Sequence, residues 1–152
     1  MKNIVVAVIL SLCAGWAQAD SALSVEGGWV RWVPPVSANS AAYFMLHNNG
    51  SSAMELIGAD SDIARAVELH TVIRDGELMR MQPLEKLAVP ADDCVLFKPG
   101  SHHVMLIGLK QPLREGQEVE LTLRFANGDT LPVKLTVKNE GEDEHAHHHS
   151  EK

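Results

Sequence analysis

Two histidines and two methionines stand in a spacing suited to a soft metal ion: His70, Met81, His103 and Met105, written His-X10-Met-X21-His-X-Met. Imidazole and thioether are neutral donors. Two of each suit Cu(I), a large soft cation, and suit Zn(II), Mg(II) or Ca(II) poorly. A second concentration of donors closes the chain, where His145, His147, His148 and His149 follow Glu142, Asp143 and Glu144. Imidazoles mixed with carboxylates match Cu(II) or Zn(II) better than Cu(I). The tail therefore reads as a second, weaker metal site that scavenges Cu(II). Other chemistries lack their residues. There is no Gly-rich phosphate loop, no GxSxG and no convincing nucleophile–base pair, so the chain reads as a binding protein and not an enzyme. A net charge of −7 argues against nucleic acid.

The elements that must position the four donors are strands. Val67 to Gln82 alternates apolar and polar residues on either side of Asp75-Gly76, a strong signal for a two-residue type I′ hairpin turn. With Asp75 and Gly76 as the central pair, Arg74 faces Glu77, Ile73 faces Leu78, Val72 faces Met79 and His70 faces Met81. Directly opposed residues on one sheet face have Cβ atoms about 4.5–5.5 Å apart. An imidazole and a thioether are then within reach of one ion. In a strand through Ser101 to Leu106, His103 and Met105 point one way and His102 the other. If that strand packs beside the hairpin, the four donors converge.

Other donors have plainer readings. Met79 shares a face with Met81 and is an accessory candidate, expected in the core or as a thioether rim to the site. His102 is expected to face away from the metal. Met45 and His47 share a face and form a rival site on paper, but for both, and for Met54, ordinary packing is the better reading. Cys94 decides between functions, because a thiolate with two His and a weak axial Met is a blue-copper set. It opens the apolar run Cys94-Val95-Leu96-Phe97, which reads as a buried strand, so Cys94 is assigned to the core. The alternative is an electron-transfer cupredoxin using Cys94. A third reading is a structural β-sandwich in which the His and Met residues are incidental.

The 152 residues allow one domain, and 45% hydrophobic with 22% charged residues is a globular composition. Met1-Lys2-Asn3, the apolar run Ile4–Leu12 and Ala17-Gln18-Ala19 have the form of a signal peptide cleaved after Ala19, too short to span a bilayer. Residues 1–19 are thus read as an export signal, leaving no stable membrane insertion after cleavage. Residues 20–138 are read as a copper-binding β-domain. Residues 139–152 form an acidic, His-rich tail with no large apolar residue, expected to be disordered.

Within the domain, Val119, Leu121, Leu123 and Phe125, then Leu131, Val133, Leu135 and Val137, alternate with polar residues around Asn127-Gly128. Pro132 suggests an edge or an irregular start for the second of these strands. Further strands are expected near 24–33, 41–48, 53–59, 65–74, 77–83, 93–98 and 102–108, with a turn of helix allowed at 59–65. Many short strands with dense turn signals favour an all-β sandwich or Greek-key barrel.

The His70, Met81, His103, Met105 motif resembles that of the periplasmic copper chaperones that metallate the dinuclear copper centre of cytochrome c oxidase (the PCuAC-like family). Val67-Glu68-Leu69-His70, Leu78 to Pro83, and Lys98-Pro99-Gly100 with Gly108-Leu109-Lys110 are similar to that family's sequences, and the likeness runs from about residue 24 to 138. The resemblance implies a cupredoxin-like Greek-key β-barrel without the blue-copper cysteine. It also implies a periplasmic location, Cu(I) as cargo, the copper-bearing oxidase subunit as recipient, and a Sco-type thiol chaperone as companion.

Overall fold

The computed structural model describes residues 22–140. The signal peptide expected at 1–19 and the metal site expected at His145, His147, His148 and His149 lie outside the described residues. Ten strands account for the elements: β1 (Leu23–Arg31), β2 (Asn39–Asn48), β3 (Met54–Asp60), β4 (Ala64–Asp75), β5 (Leu78–Leu84), β6 (Leu87–Val89), β7 (Asp93–Phe97), β8 (His103–Leu109), β9 (Glu118–Phe125) and β10 (Thr130–Lys138). The fold is all-β. A turn joins β3 to β4, so the allowed helical turn at 59–65 does not form. The three-residue β6 is too short to show a period and escapes a sequence reading.

The strands pair in the order β5-β4-β8-β2-β1-β10-β9-β3-β6, and β7 also pairs with β2. Strand β2 changes neighbour along its length: residues 39–42 pair with β8 and residues 44–48 with β7. The first and last strands run parallel, Trp29 beside Thr136 and Arg31 beside Lys138.

Period-two alternation fills one interior. In β2, Ala42, Phe44 and Leu46 are buried in the core, as are Val104 and Leu106 of β8. Val119, Leu121, Leu123 and Phe125 are buried in the core, and so are Val133, Leu135 and Val137 opposite them. Phe44 stacks on Phe97 with ring centroids 4.5 Å apart, one of few aromatic contacts in a mainly aliphatic core. Burying a side chain of this size is worth about 1.5–3 kcal/mol. Pro132 sits opposite Thr122 of β9, on the part of β10 that precedes its pairing with β1. Its missing N–H therefore costs no ladder bond on that side.

The alternate residues of β2, β4 and β8 make up the opposite, outer face. Tyr43, His103 and Met105 belong to it, as do Glu68, His70 and Val72.

Candidate metal centre

Register decides what can meet. Strand β8 lies antiparallel to β4, with His70 directly opposite His103 and Glu68 directly opposite Met105. The two imidazole centroids are 5.7 Å apart at an interplanar angle of 46°. That separation fits two rings bound to one ion through bonds of about 2 Å.

Each ring has one nitrogen engaged and one free. Nδ1 of His103 lies 3.0 Å from the Ser101 carbonyl oxygen, which only accepts, so Nδ1 carries the proton and donates it. Nε2 of His103 then bears the lone pair, and it is buried without a partner. In His70 the roles are exchanged. Nε2 donates to the Glu68 carboxylate at 2.8 Å, and Nδ1 is buried without a partner. Buried unpaired polar atoms are uncommon enough to need a cause, and an ion-binding site is one. Orientation of a ligating imidazole by a carbonyl or carboxylate on its other nitrogen is the usual arrangement around metals.

His103 is only 3% exposed. Burial pushes its pKa below the ordinary 6.5, the Ser101 carbonyl partly opposes this, and the His70, Arg31 and His102 charges add to it. The ring is thereby held neutral, the form that binds metal. Tyr43 packs beside it at 6.4 Å between ring centroids, with Trp29 4.7 Å beyond Tyr43. Arg31 covers the Tyr43 ring at 5.3 Å and pairs with Glu140 at 2.9 Å. Burial pushes the Tyr43 phenol up, against the opposing pull of Arg31. This aromatic flank was missed from the sequence. Its signal was Tyr43 in the outer phase of β2, with Ala41, Met45 and His47.

The expected hairpin register is corrected. Asp75 pairs with Leu78, so the turn is Gly76-Glu77, and the ladder runs Arg74–Met79, Ile73–Arg80, Val72–Met81, Thr71–Gln82 and His70–Pro83. His70 does not face Met81, and Val72 does not face Met79. The cause lies in the turn. A type I′ turn needs positive φ at both central residues, whereas here Gly76 has φ +64° and neither Asp75 nor Glu77 is positive, the pattern of a type II′ turn with glycine first. The slip is two residues, so facing is preserved. Met79 and Met81 remain on the His70 face, and Met81 becomes the diagonal neighbour of His70, at a spacing long side chains still bridge. Both thioethers are exposed, Met79 at 57% and Met81 at 63%. Met79 is thus not core, and its rung with Arg74 lies four residues along β4 from His70.

Cys94 is corrected as well. It is exposed, because within β7 only Val95 and Phe97 turn inward. Cys94 faces His47, whereas Met105 faces Ala41 on the same strand. Six residues of β2 separate the two pairs, about 20 Å of extended chain. The blue-copper set of Cys94 with His70, His103 and Met105 is not assembled. His47 bonds Glu26 at 3.2 Å, and Met54 packs against the core. His102 turns away from His70 and lies 6.1 Å from the Phe97 ring. As the side chains stand, no three His, Cys, Asp or Glu groups among the described residues are arranged to hold a metal ion. The register brings to this face the two imidazoles, Met105 and Glu68 on the next rung, and Met81 diagonal to His70.

A profile of the family described as "Putative lipoprotein LpqE-like" matches residues 23–137. The chain belongs to the LpqE-like family. A Leifsonia xyli subsp. xyli protein of this kind is 37% identical over 123 residues, 80% of this chain and 72% of its own length. Among solved structures, Cu(I)-bound DR1885 of Deinococcus radiodurans aligns with TM-score 0.65 and 36% identity over 86% of this chain and 88% of its own. The copper-bound PCuAC domain of PmoF2 aligns with TM-score 0.67 and 21% identity, over 78% and 93%. These likenesses bear out the cupredoxin-like β fold for this member of the LpqE-like family.

Proposed function

We propose that this chain is an exported copper chaperone, a carrier and not an enzyme, with Cu(I) as cargo. His70 Nδ1 and His103 Nε2 are the nitrogen ligands, and Met105 and Met81 supply sulfur. One observation carries the reading: two buried imidazole nitrogens, unpartnered and in complementary tautomers, belong to rings directly opposed across β4 and β8. The solved Cu(I)-bound relative supports the choice of metal. A site without thiolate holds Cu(I) loosely enough for an acceptor offering cysteine to take it through shared ligands. Met81, on the exposed strand β5, is placed to leave first. The recipient we propose is the dinuclear copper centre of cytochrome c oxidase, with a Sco-type thiol protein as companion. The exported character accords with the family's lipoprotein description.

The deciding experiment is X-ray absorption of the Cu(I) form. Two nitrogen and two sulfur neighbours are expected. A shell without sulfur, or Cu(I) retained no better than micromolar, overturns the proposal. His145, His147, His148 and His149 are proposed as a separate Cu(II) site. Deleting residues 141–152 should lower Cu(II) stoichiometry and leave Cu(I) binding intact, and an unchanged Cu(II) count would refute it.

A further inference from the structure

A carboxylate that the motif omits stands as near both imidazoles in register as Met105 does, and nearer than Met81. Glu68–Met105 and His70–His103 are opposed pairs two residues apart on antiparallel strands. Glu68, His70, His103 and Met105 therefore stand at the corners of one rectangle on one face, about 5 Å across the strands and about 7 Å along them. The fourth corner is an oxygen donor. Glu68 at present lies against His70 Nε2, and both side chains reach solvent, at 48% for Glu68 and 14% for His70. The half-exposed carboxylate can trade the imidazole for water, so it is able to turn.

We propose that Glu68 is an oxygen ligand kept in reserve for the oxidised ion. With Cu(I) bound, Glu68 stays on His70 and fixes the tautomer that aims Nδ1 at the metal. When the copper gives one electron to an outer-sphere acceptor, the Glu68–His70 hydrogen bond breaks, the proton stays on Nε2, and a Glu68 oxygen bonds Cu(II). Cu(II) favours tetragonal nitrogen and oxygen surroundings, which a square of two imidazoles and a carboxylate approaches, whereas Cu(I) gains little from a hard anion. The chaperone would then keep its cargo through oxidation instead of shedding it. This rests on the proposed Cu(I) site.

The test uses the full chain. One equivalent of Cu(I) is loaded, excess is removed, and ferricyanide takes one electron per copper. The readouts are the midpoint potential, the electron paramagnetic resonance spectrum of the Cu(II) product, and Cu(I) affinity by competition with a chromophoric chelator. Glu68→Gln, whose amide oxygen can still accept from His70 Nε2, should change the Cu(II) spectrum. It should also weaken Cu(II) at least tenfold relative to Cu(I), raising the potential by about 59 mV or more for a one-electron couple. Equal potentials and spectra in the two proteins overturn the inference, including the case where oxidised copper has moved to the tail. A large loss of Cu(I) affinity without a change in potential also overturns it, because Glu68 would then only orient His70. Failure of the wild-type chain to retain Cu(I) at all would strike the chaperone reading itself, a result distinct from the other two.

Discussion

Two hairpins in this molecule have similar sequences and opposite fates. In β9–β10, Leu121 pairs with Val133 and Val119 with Leu135, and every second residue of β9 is buried. In β4–β5 the distal half is exposed on both faces, and no residue of β5 is fully buried. The core sets the register of the first hairpin, because a one-residue slip would expose a whole apolar row. Only the turn sets the register of the second. The stable hairpin holds the fold, and the exposed one presents Met81 on the rung next to His70.

The sharpest way to break this contrast is core truncation. Phe125→Ala should cost about 3–5 kcal/mol, the range for a buried aromatic. Leu78→Ala, at 61% exposure, should stay within about 0.5 kcal/mol, as surface changes do. Urea unfolding of both variants measures it. Comparable losses would mean that the second hairpin belongs to the cooperative core.

The same contrast explains what was readable in the chain. Alternation in Val119–Phe125 and Leu131–Val137 located β9 and β10, because burial on one face writes a period of two into the sequence. It also gave the right faces for His70, His103 and Met105, since facing depends only on parity. Pairing in the exposed hairpin was not readable. Asp75-Gly76 and Gly76-Glu77 both make acceptable two-residue turns, and no buried row chose between them. Cys94 was misplaced for a related reason: Cys94-Val95-Leu96-Phe97 is apolar throughout, so its phase was hidden. Glu68 has no place in a motif of soft donors, although it lies two residues from His70 on the same face.

Copper binding should reverse the ranking of the two hairpins. His103→Ala should weaken Cu(I) binding on the order of a hundredfold, given that second-sphere partners alone are worth about 10–100-fold. Met81→Ala should weaken it by less, since its thioether must first be ordered from a 63% exposed state. Met45→Ala should have no effect, because its neighbours across the strands are Glu26 and Leu96 and not the His70–His103 rung. Equal losses in all three variants, read by chelator competition, would sink the site assignment.

Matched glycine changes sharpen the comparison at smaller scale. Gly76 and Gly128 both have positive φ, +64° and +91°, with open space where a Cβ would go. Alanine at either position carries a similar backbone strain, about 1–2 kcal/mol. Gly128→Ala should lower global stability by that amount and leave Cu(I) affinity unchanged. Gly76→Ala should spend most of the strain in the exposed hairpin, with a small drop in stability and a several-fold drop in Cu(I) affinity. If Gly76→Ala instead lowers global stability as much as Gly128→Ala, the exposed hairpin is coupled to the core after all.

The smallest effect expected is a pH slope. His103 has its folded pKa below 6.5, chiefly from burial, so the unfolded chain binds its proton first as pH falls. Its neutral, buried ring thus contributes stability that is present above about pH 6.5 and is lost progressively as pH falls toward the depressed folded value. Metal-free wild type and His103→Gln, compared by urea unfolding at pH 7.5 and 5.5, share every carboxylate, so carboxylate titration largely cancels in the difference. Wild type should lose more stability over that interval than the variant. Parallel losses would show that the ring protonates as readily in the fold as in the unfolded chain. The buried, neutral nitrogen that the exposed hairpin is placed to serve would then be gone.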